Sequence, residues 1–133
     1  MAITGKCHCG AIRYSAEGTP EHHALCHCTD CRGWSGAPMS GWIAFKEEQV
    51  TIEGEPQSYK SSDLAVRQFC GRCGTGLFYR NPTYLPGIVD IQSGTLDDAA
   101  GNAPGAHIVV KERLPWMAQV RELPEFQTYP GMD

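Results

Sequence analysis

Apolar and polar residues alternate over short stretches of this chain and never hold a helical period for long. Residues 11–17, Ala-Ile-Arg-Tyr-Ser-Ala-Glu, alternate with the period of a half-buried strand, and Gly18-Thr19-Pro20 ends it. Residues 22–25 read as a second short strand that delivers the chain to Cys26. Residues 39–45 combine aromatic and β-branched side chains and make the best core strand. Residues 50–53 and 57–60 flank Gly54-Glu55-Pro56 and predict a hairpin. Residues 66–69 run into Cys70 and residues 77–80 run out of Cys73, which gives strand, knuckle, strand. Residues 87–92 and 107–110 are further strands. Helix is predicted only at residues 29–35, a single turn with Thr29 or Asp30 as N-cap and Gly36-Ala37-Pro38 as its stop. Residues 93–106 form a long Gly/Ala/Asp loop, and the tail around Leu114-Pro115-Trp116 and Leu123-Pro124 is expected to pack over the sheet without regular structure. The fold class is mainly β.

Composition supports that class, since 15 glycines and nine prolines spread along the chain cut it into short pieces. A length of 133 residues predicts one domain, spanning residues 1–133. Hydrophobic content of 41% and charged content of 20% describe an ordinary globular chain. The net charge of −4 disfavours nucleic acid or an anionic membrane as the main partner. No basic stretch followed by an apolar run opens the chain, and no segment nears the ~18 apolar residues of a membrane span. The expected compartment is the reducing cytoplasm, where closely spaced cysteines read as metal ligands rather than disulfides.

Seven cysteines carry the chemistry. Cys70-Gly71-Arg72-Cys73-Gly74 is a zinc knuckle, with two residues between thiolates that turn toward one ion. Cys7-His8-Cys9-Gly10 is a tighter turn with glycine in the same relative place. Neither pair fills a tetrahedron alone, so together they predict a closed structural zinc site that orders the N-terminal knuckle against the mid-chain strands. Cys26, Cys28 and Cys31 remain, three cysteines in six residues with no fourth. Spacing leaves three arrangements open: a site closed by His22, His23, His27, His8 or His107, an open site of the catalytic kind with three protein ligands, or a cluster that holds no metal.

An open three-thiolate zinc site favours an incoming thiolate over water, drawing a thiol pKa down from about 8.5. The expected substrate is therefore a small thiol or an adduct that contains one. Arg32, directly after Cys31, is expected either to balance the thiolates or meet a substrate carboxylate, or else to be a surface arginine. Asp30 and His27 are placed to move a proton, or to serve as a cap and a solvated side chain. Trp34 and Trp42 shape a pocket or fill the core. Two Zn²⁺ on seven thiolates would take the net charge to about −7.

Taken together, these residues resemble the glutathione-dependent formaldehyde-activating enzyme family, which shares its domain with centromere protein V. The resemblance rests on Gly5-Lys6-Cys7-His8-Cys9-Gly10-Ala11-Ile12-Arg13-Tyr14, on Cys26-His27-Cys28-Thr29-Asp30-Cys31-Arg32 with Ser35-Gly36-Ala37-Pro38, and on Phe69-Cys70-Gly71-Arg72-Cys73-Gly74-Thr75. Gly94-Thr95-Leu96-Asp97-Asp98 and His107-Ile108-Val109-Val110 with Pro115-Trp116 extend it. It implies a β-tent fold with two zinc ions: Cys7, Cys9, Cys70 and Cys73 as the structural set, and Cys26, Cys28 and Cys31 as the catalytic one. It also implies carbon–sulfur lyase activity, the reversible condensation of glutathione with formaldehyde to S-hydroxymethylglutathione. The alternative is a non-catalytic zinc module that binds a small thiol or a protein partner.

Overall fold

A computed structural model describes residues 2–132, in which ten strands form two sheets. β1 (Ala2–Lys6), β2 (Arg13–Glu17) and β5 (Val50–Glu53) make a small antiparallel sheet in the order β1-β2-β5. The larger sheet contains β3 (His22–Cys26), β4 (Ser40–Lys46), β6 (Gln57–Lys60), β7 (Val66–Phe69), β8 (Gly76–Arg80), β9 (Ile88–Gln92) and β10 (Ala106–Ile108). Its order is β10-β3-β4-β9-β8-β7-β6, and only the β10–β3 pair is parallel. One α-helix, α1 (Thr29–Ser35), leaves the end of β3. This is the mainly β, tent-like arrangement expected.

The alternation of β4 explains how the larger sheet serves two purposes. Ile43 and Phe45 point into the main core, where they meet Tyr14 and Ala16 of the small sheet and Val89 and Ile91 of β9. Trp42 points to the other face and packs with Cys26 and Cys31. The side chains that reach the small sheet make the core, and those on the far face build a site. Both tasks are possible because successive residues of a strand face opposite ways.

Four expectations are corrected. The stretches 50–53 and 57–60 are strands but not a hairpin: β5 pairs with β2 and β6 pairs with β7. Val50 and Ile52 cover the core beside β2, whereas β6 is exposed throughout and finishes an edge. Gly54, at φ +94°, turns the chain from one sheet into the other. Glycine and proline there signal a change of direction, not a pairing. The N-cap of α1 is Cys28, not Thr29 or Asp30. The tail is not irregular: residues Val110–Glu112 and Pro115–Glu122 form 3₁₀ turns. Nor is it buried, because Trp116 is half exposed and Leu123 and Phe126 more so.

β1 has no counterpart among the strands expected. Its register against β2 places Gly5 opposite Tyr14, and a methyl at Gly5 would overlap the Tyr14 hydroxyl. That hydroxyl sits 2.6 Å from Thr95 Oγ1, while Asp97 takes hydrogen bonds from Thr4 and Lys6. The loop after β9 is thereby fastened to the strand that leads into Cys7.

Candidate metal centres

Two turns, each ended by a glycine, bring the first four cysteines together. After β1, the Gly10 amide donates to Cys7 O at 3.1 Å with Gly10 at φ +81°. Between β7 and β8, the Gly74 amide donates to Cys70 O at 2.8 Å with Gly74 at φ +83°. Glycine reaches this left-handed conformation without steric cost, which is why it follows each knuckle. The His8 amide donates to Thr75 Oγ1 at 3.0 Å and joins the two turns. The Cys7–Cys9 and Cys9–Cys70 sulfur pairs are 3.7 and 3.8 Å apart, and all four sulfurs lie within 4.8 Å of one another.

Those distances suit a metal. Four sulfurs bonded tetrahedrally at about 2.3 Å from one ion have edges of about 3.8 Å, whereas a disulfide needs about 2.05 Å. Ionisation is uneven across the set: against the Ala11 backbone hydrogen bond, burial and the neighbouring sulfurs push Cys9 up to about 11. The Ile12 amide donates to Cys7 Sγ at 3.2 Å, and the Thr75 hydroxyl and amide hold the Cys73 thiol down to about 5. Cys7 and Cys70 lie inside the main core, so a bound ion would tie the metal site directly to the packing of the two sheets.

The second cluster comes from the junction of β3 and α1. Cys26 ends β3, and Cys28 takes the extended N-cap conformation with its sulfur accepting from the Cys31 amide at 3.2 Å. A capping side chain folds back over the first turn, so the cap itself places Cys28 beside Cys31. Cys31 Sγ lies 3.8 Å from Cys26 Sγ, again the edge of a metal–thiolate tetrahedron. Cys31 Sγ donates to Cys26 Sγ, and this hydrogen bond draws the Cys26 thiol down and pushes Cys31 up.

Among the described residues, no histidine nitrogen or carboxylate oxygen joins these three sulfurs within 4.8 Å. The histidines considered for closure are engaged or placed elsewhere. His27 Nε2 is 2.8 Å from His107 Nδ1, and burial followed by the His107 charge lowers the His27 pKa. His8 lies between Cys7 and Cys9 of the first cluster with its amide on Thr75 Oγ1, His22 Nε2 lies 3.7 Å from Asp90 Oδ1, and His23 Nε2 is buried without a hydrogen-bond partner. Among the described residues the second cluster thus brings together three sulfurs that could hold an ion, and no fourth such group.

Beside these sulfurs is a cavity of about 420 Å³ with mostly apolar walls, including Trp42, Tyr79 and Ile108. Such a volume falls within the ordinary range of small-molecule sites. Arg67, 1% exposed, lies along it. Its Nη2 donates to Asp30 Oδ2 at 2.6 Å and to Cys31 Sγ at 3.7 Å, and its guanidinium lies 4.7 Å from the Tyr79 ring centre and 5.1 Å from that of Trp34. Trp42 is a buried wall of the site, and Trp34 is partly buried against it.

Arg32, half-buried, is engaged by backbone carbonyls. Its Nη1 donates to His27 O at 2.9 Å and to Glu112 O at 2.7 Å, so it clamps the cysteine segment to the turn after β10. The Thr29 amide reinforces that clamp by donating to Glu112 Oε1 at 2.7 Å. The guanidinium that meets a cysteine sulfur belongs to Arg67, to which the sequence points only as the polar half of a strand. Asp90 is a second residue that the sequence reading does not single out, although a carboxylate inside the run Ile88-Val89-Asp90-Ile91 is a legible warning of a buried charge.

Comparison with known proteins adds a lineage. A family model described as glutathione-dependent formaldehyde-activating enzyme matches residues 2–112. An uncharacterized lyase of Schizosaccharomyces pombe is 31% identical over 86 residues, a match that covers 61% of this chain and spans 63% of that relative's length. A Halomonas elongata protein provisionally named as a glutathione-dependent formaldehyde-activating enzyme is 24% identical over 129 residues, covering 88% of this chain and 80% of its own. The crystal structure of a Rhodobacter sphaeroides protein superposes with a TM-score of 0.61 at 19% identity, covering 78% of this chain and 98% of that one, and shows the same fold.

Proposed function

The chain belongs to the family of glutathione-dependent formaldehyde-activating enzymes, and from that membership we propose that it is a zinc-dependent carbon–sulfur lyase acting on thiol–aldehyde adducts. Its reaction is the reversible joining of glutathione, or a similar small thiol, to formaldehyde. The observation that carries this reading is a three-sulfur cluster, lacking a fourth protein ligand, at the wall of a 420 Å³ cavity. A site built only to hold structure would close its tetrahedron, as the four-sulfur cluster does.

Residues 1–133 then act as one zinc-binding domain with two ions. Cys7, Cys9, Cys70 and Cys73 hold the structural zinc, and Cys26, Cys28 and Cys31 hold the catalytic zinc. Bound on three thiolates, zinc supplies a soft position that keeps a substrate thiol ionised near neutral pH. Arg67 opposes the negative charge that accumulates there, and its effect is large because the guanidinium is buried. Trp42 and Tyr79 exclude water from the reacting end of the substrate, and the aldehyde meets the sulfur in the apolar part of the cavity.

No helix among the described residues is long and apolar enough to cross a membrane. A reducing cytoplasm keeps the seven cysteines and a substrate thiol free for this chemistry, with small molecules rather than nucleic acid as partners. The test is the rate of S-hydroxymethylglutathione formation and breakdown with protein carrying two zinc ions per chain. Acceleration over the spontaneous rate is expected. A rate equal to the spontaneous one, with both sites filled, refutes the lyase reading.

A further inference from the structure

The register of the larger sheet lines up one row of side chains across five strands. His22 of β3 is opposite Ala44 of β4, Ala44 opposite Asp90 of β9, Asp90 opposite Tyr79 of β8, and Tyr79 opposite Arg67 of β7. Residues opposite one another across a ladder share a face. This is the face that carries the cavity, and His22, Asp90, Tyr79 and Arg67 all line it. At one end of the row Arg67 reaches Cys31 Sγ at 3.7 Å. Near the middle stands a buried carboxyl group.

Asp90 is an unusual residue to find there. It is 5% exposed, and its neighbours in sequence, Val89 and Ile91, point into the main core. Its Oδ1 has no hydrogen-bond partner, and His22 Nε2 approaches it at 3.7 Å, beyond good hydrogen-bond length. Ala44, its neighbour across the ladder, is too small to cover it. A buried carboxyl with an unmade hydrogen bond is unfavourable for the fold alone. Its place at the wall of the cavity gives it a use, because thiol–aldehyde addition requires a proton to move from sulfur to oxygen.

We propose that Asp90 is the catalytic acid–base residue of this addition, taking the proton of the thiol and delivering it to the aldehyde oxygen. The inference rests on the lyase reading above and adds to it the group that handles the proton. In the forward direction the thiol ionises as it binds, its proton passing to the Asp90 carboxylate. A sulfur electron pair then forms the C–S bond, the C=O π pair moves onto oxygen, and the Asp90 carboxyl protonates that oxygen. The sum is a thiol and formaldehyde giving the hydroxymethyl thioether, with Asp90 returned to its starting state and no oxidant or reductant consumed. In reverse, Asp90 accepts the hydroxyl proton as the C–S bond breaks, then returns it to the departing sulfur.

The other titratable groups nearby fit the role less well. Asp30 is held by Arg67 Nη2 at 2.6 Å, with its side chain 69% exposed. His27 is paired with His107. The Tyr79 hydroxyl takes a hydrogen bond from Asn81 Nδ2 at 3.2 Å. Around Asp90 itself, β3 presents His22, β4 presents uncharged Ala44, and β8 presents Tyr79, with Arg67 one strand further along. Burial raises the Asp90 pKa above the ordinary carboxylate range and His22 opposes that rise, so the group can both hold and release a proton.

The test is D90N in the zinc-loaded enzyme, assayed for adduct formation with glutathione and formaldehyde. Because the amide is isosteric with the carboxyl and carries no charge to desolvate, the variant should hold two zinc ions per chain and melt no lower than wild type. The expected loss in kcat is about 10²- to 10⁴-fold, with KM changed little. A kcat within twofold of wild type, or a loss confined to KM, overturns the assignment and leaves the lyase reading in place. A wild-type enzyme no faster than the spontaneous reaction removes both. Should D90N fail to hold its zinc, D90A assayed with added formate decides: recovery of at least tenfold in rate supports the role, and no recovery overturns it.

Discussion

Replacing Arg67 by methionine separates the electrostatics of the second cluster from its packing. Methionine keeps much of the side chain's length and apolar surface but removes the charge. On stability, the variant loses a charge-assisted hydrogen bond to Asp30, about 1.5–3 kcal/mol, and contacts with the aromatic faces, about 0.5–2 kcal/mol. It also removes two buried donors, Nε and Nη1, that have no partner, each unfavourable by about 1–3 kcal/mol. These terms nearly cancel, so R67M should fold with a stability near that of wild type. The charge effect has no such offset. A full positive charge 3.7 Å from Cys31 Sγ is worth about 4 kcal/mol at an effective dielectric constant near 20. Asp30, 2.6 Å from the same nitrogen, neutralises part of it. Half the full value, about 2 kcal/mol, corresponds to a roughly 30-fold weaker hold on the metal by Cys26, Cys28 and Cys31. Zinc competition against a chromophoric chelator, resolving the two sites, measures this. Equal affinity of that site in R67M and wild type, or weakening of the Cys7/Cys9/Cys70/Cys73 site instead, would refute the charge-balancing role.

Gly5→Ala should destabilise the fold by about 2–4 kcal/mol through overpacking and loss of the Tyr14–Thr95 hydrogen bond. A methyl there would overlap the Tyr14 hydroxyl and come within 2.6 Å of Thr95 O. A melting temperature lower by roughly 10 °C is expected in zinc-loaded protein, and an unchanged one would contradict the packing described. His23 gives a pH dependence. Burial holds its pKa below the usual histidine range, so its contribution to stability is complete above about pH 6.5 and is lost as pH falls from there through the folded-state pKa. Melting curves from pH 7.5 to 5.5 should therefore fall more steeply for wild type than for H23Q, and parallel curves would contradict this. Cys70→Ser removes a thiol that lies inside the main core and should unfold the domain, as read by circular dichroism.

Features that depend on local spacing are legible in the amino-acid sequence. The knuckles at Cys7/Cys9 and Cys70/Cys73 each carry the glycine that their turn needs, and the grouping of four cysteines and three appears in the sulfur positions. Helix α1 is legible from Gly36 and the polar start at Thr29-Asp30, but not its cap, because a cysteine capping its own cluster does not follow from ordinary cap preferences. Long-range partners are not legible. Val50 and Ile52 mark a strand without saying that β2 will pair with it, and the Gly54-Glu55-Pro56 turn reads equally well as a hairpin. Arg67 and Asp90 become meaningful only once the register sets them in one row with Tyr79 between them. Arg32 shows the converse: adjacency to Cys31 in sequence puts it on the far side of the turn, where it clamps Glu112.

The division of labour between the clusters is tested most directly by Cys28→Ser, with zinc content and adduct formation measured on the same preparation. The account predicts that zinc falls from two ions per chain to one, that the circular dichroism spectrum and cooperative melt persist, and that acceleration of S-hydroxymethylglutathione formation disappears. A Cys28→Ser protein that keeps two zinc ions and its full rate, or one that unfolds as Cys70→Ser should, would contradict it.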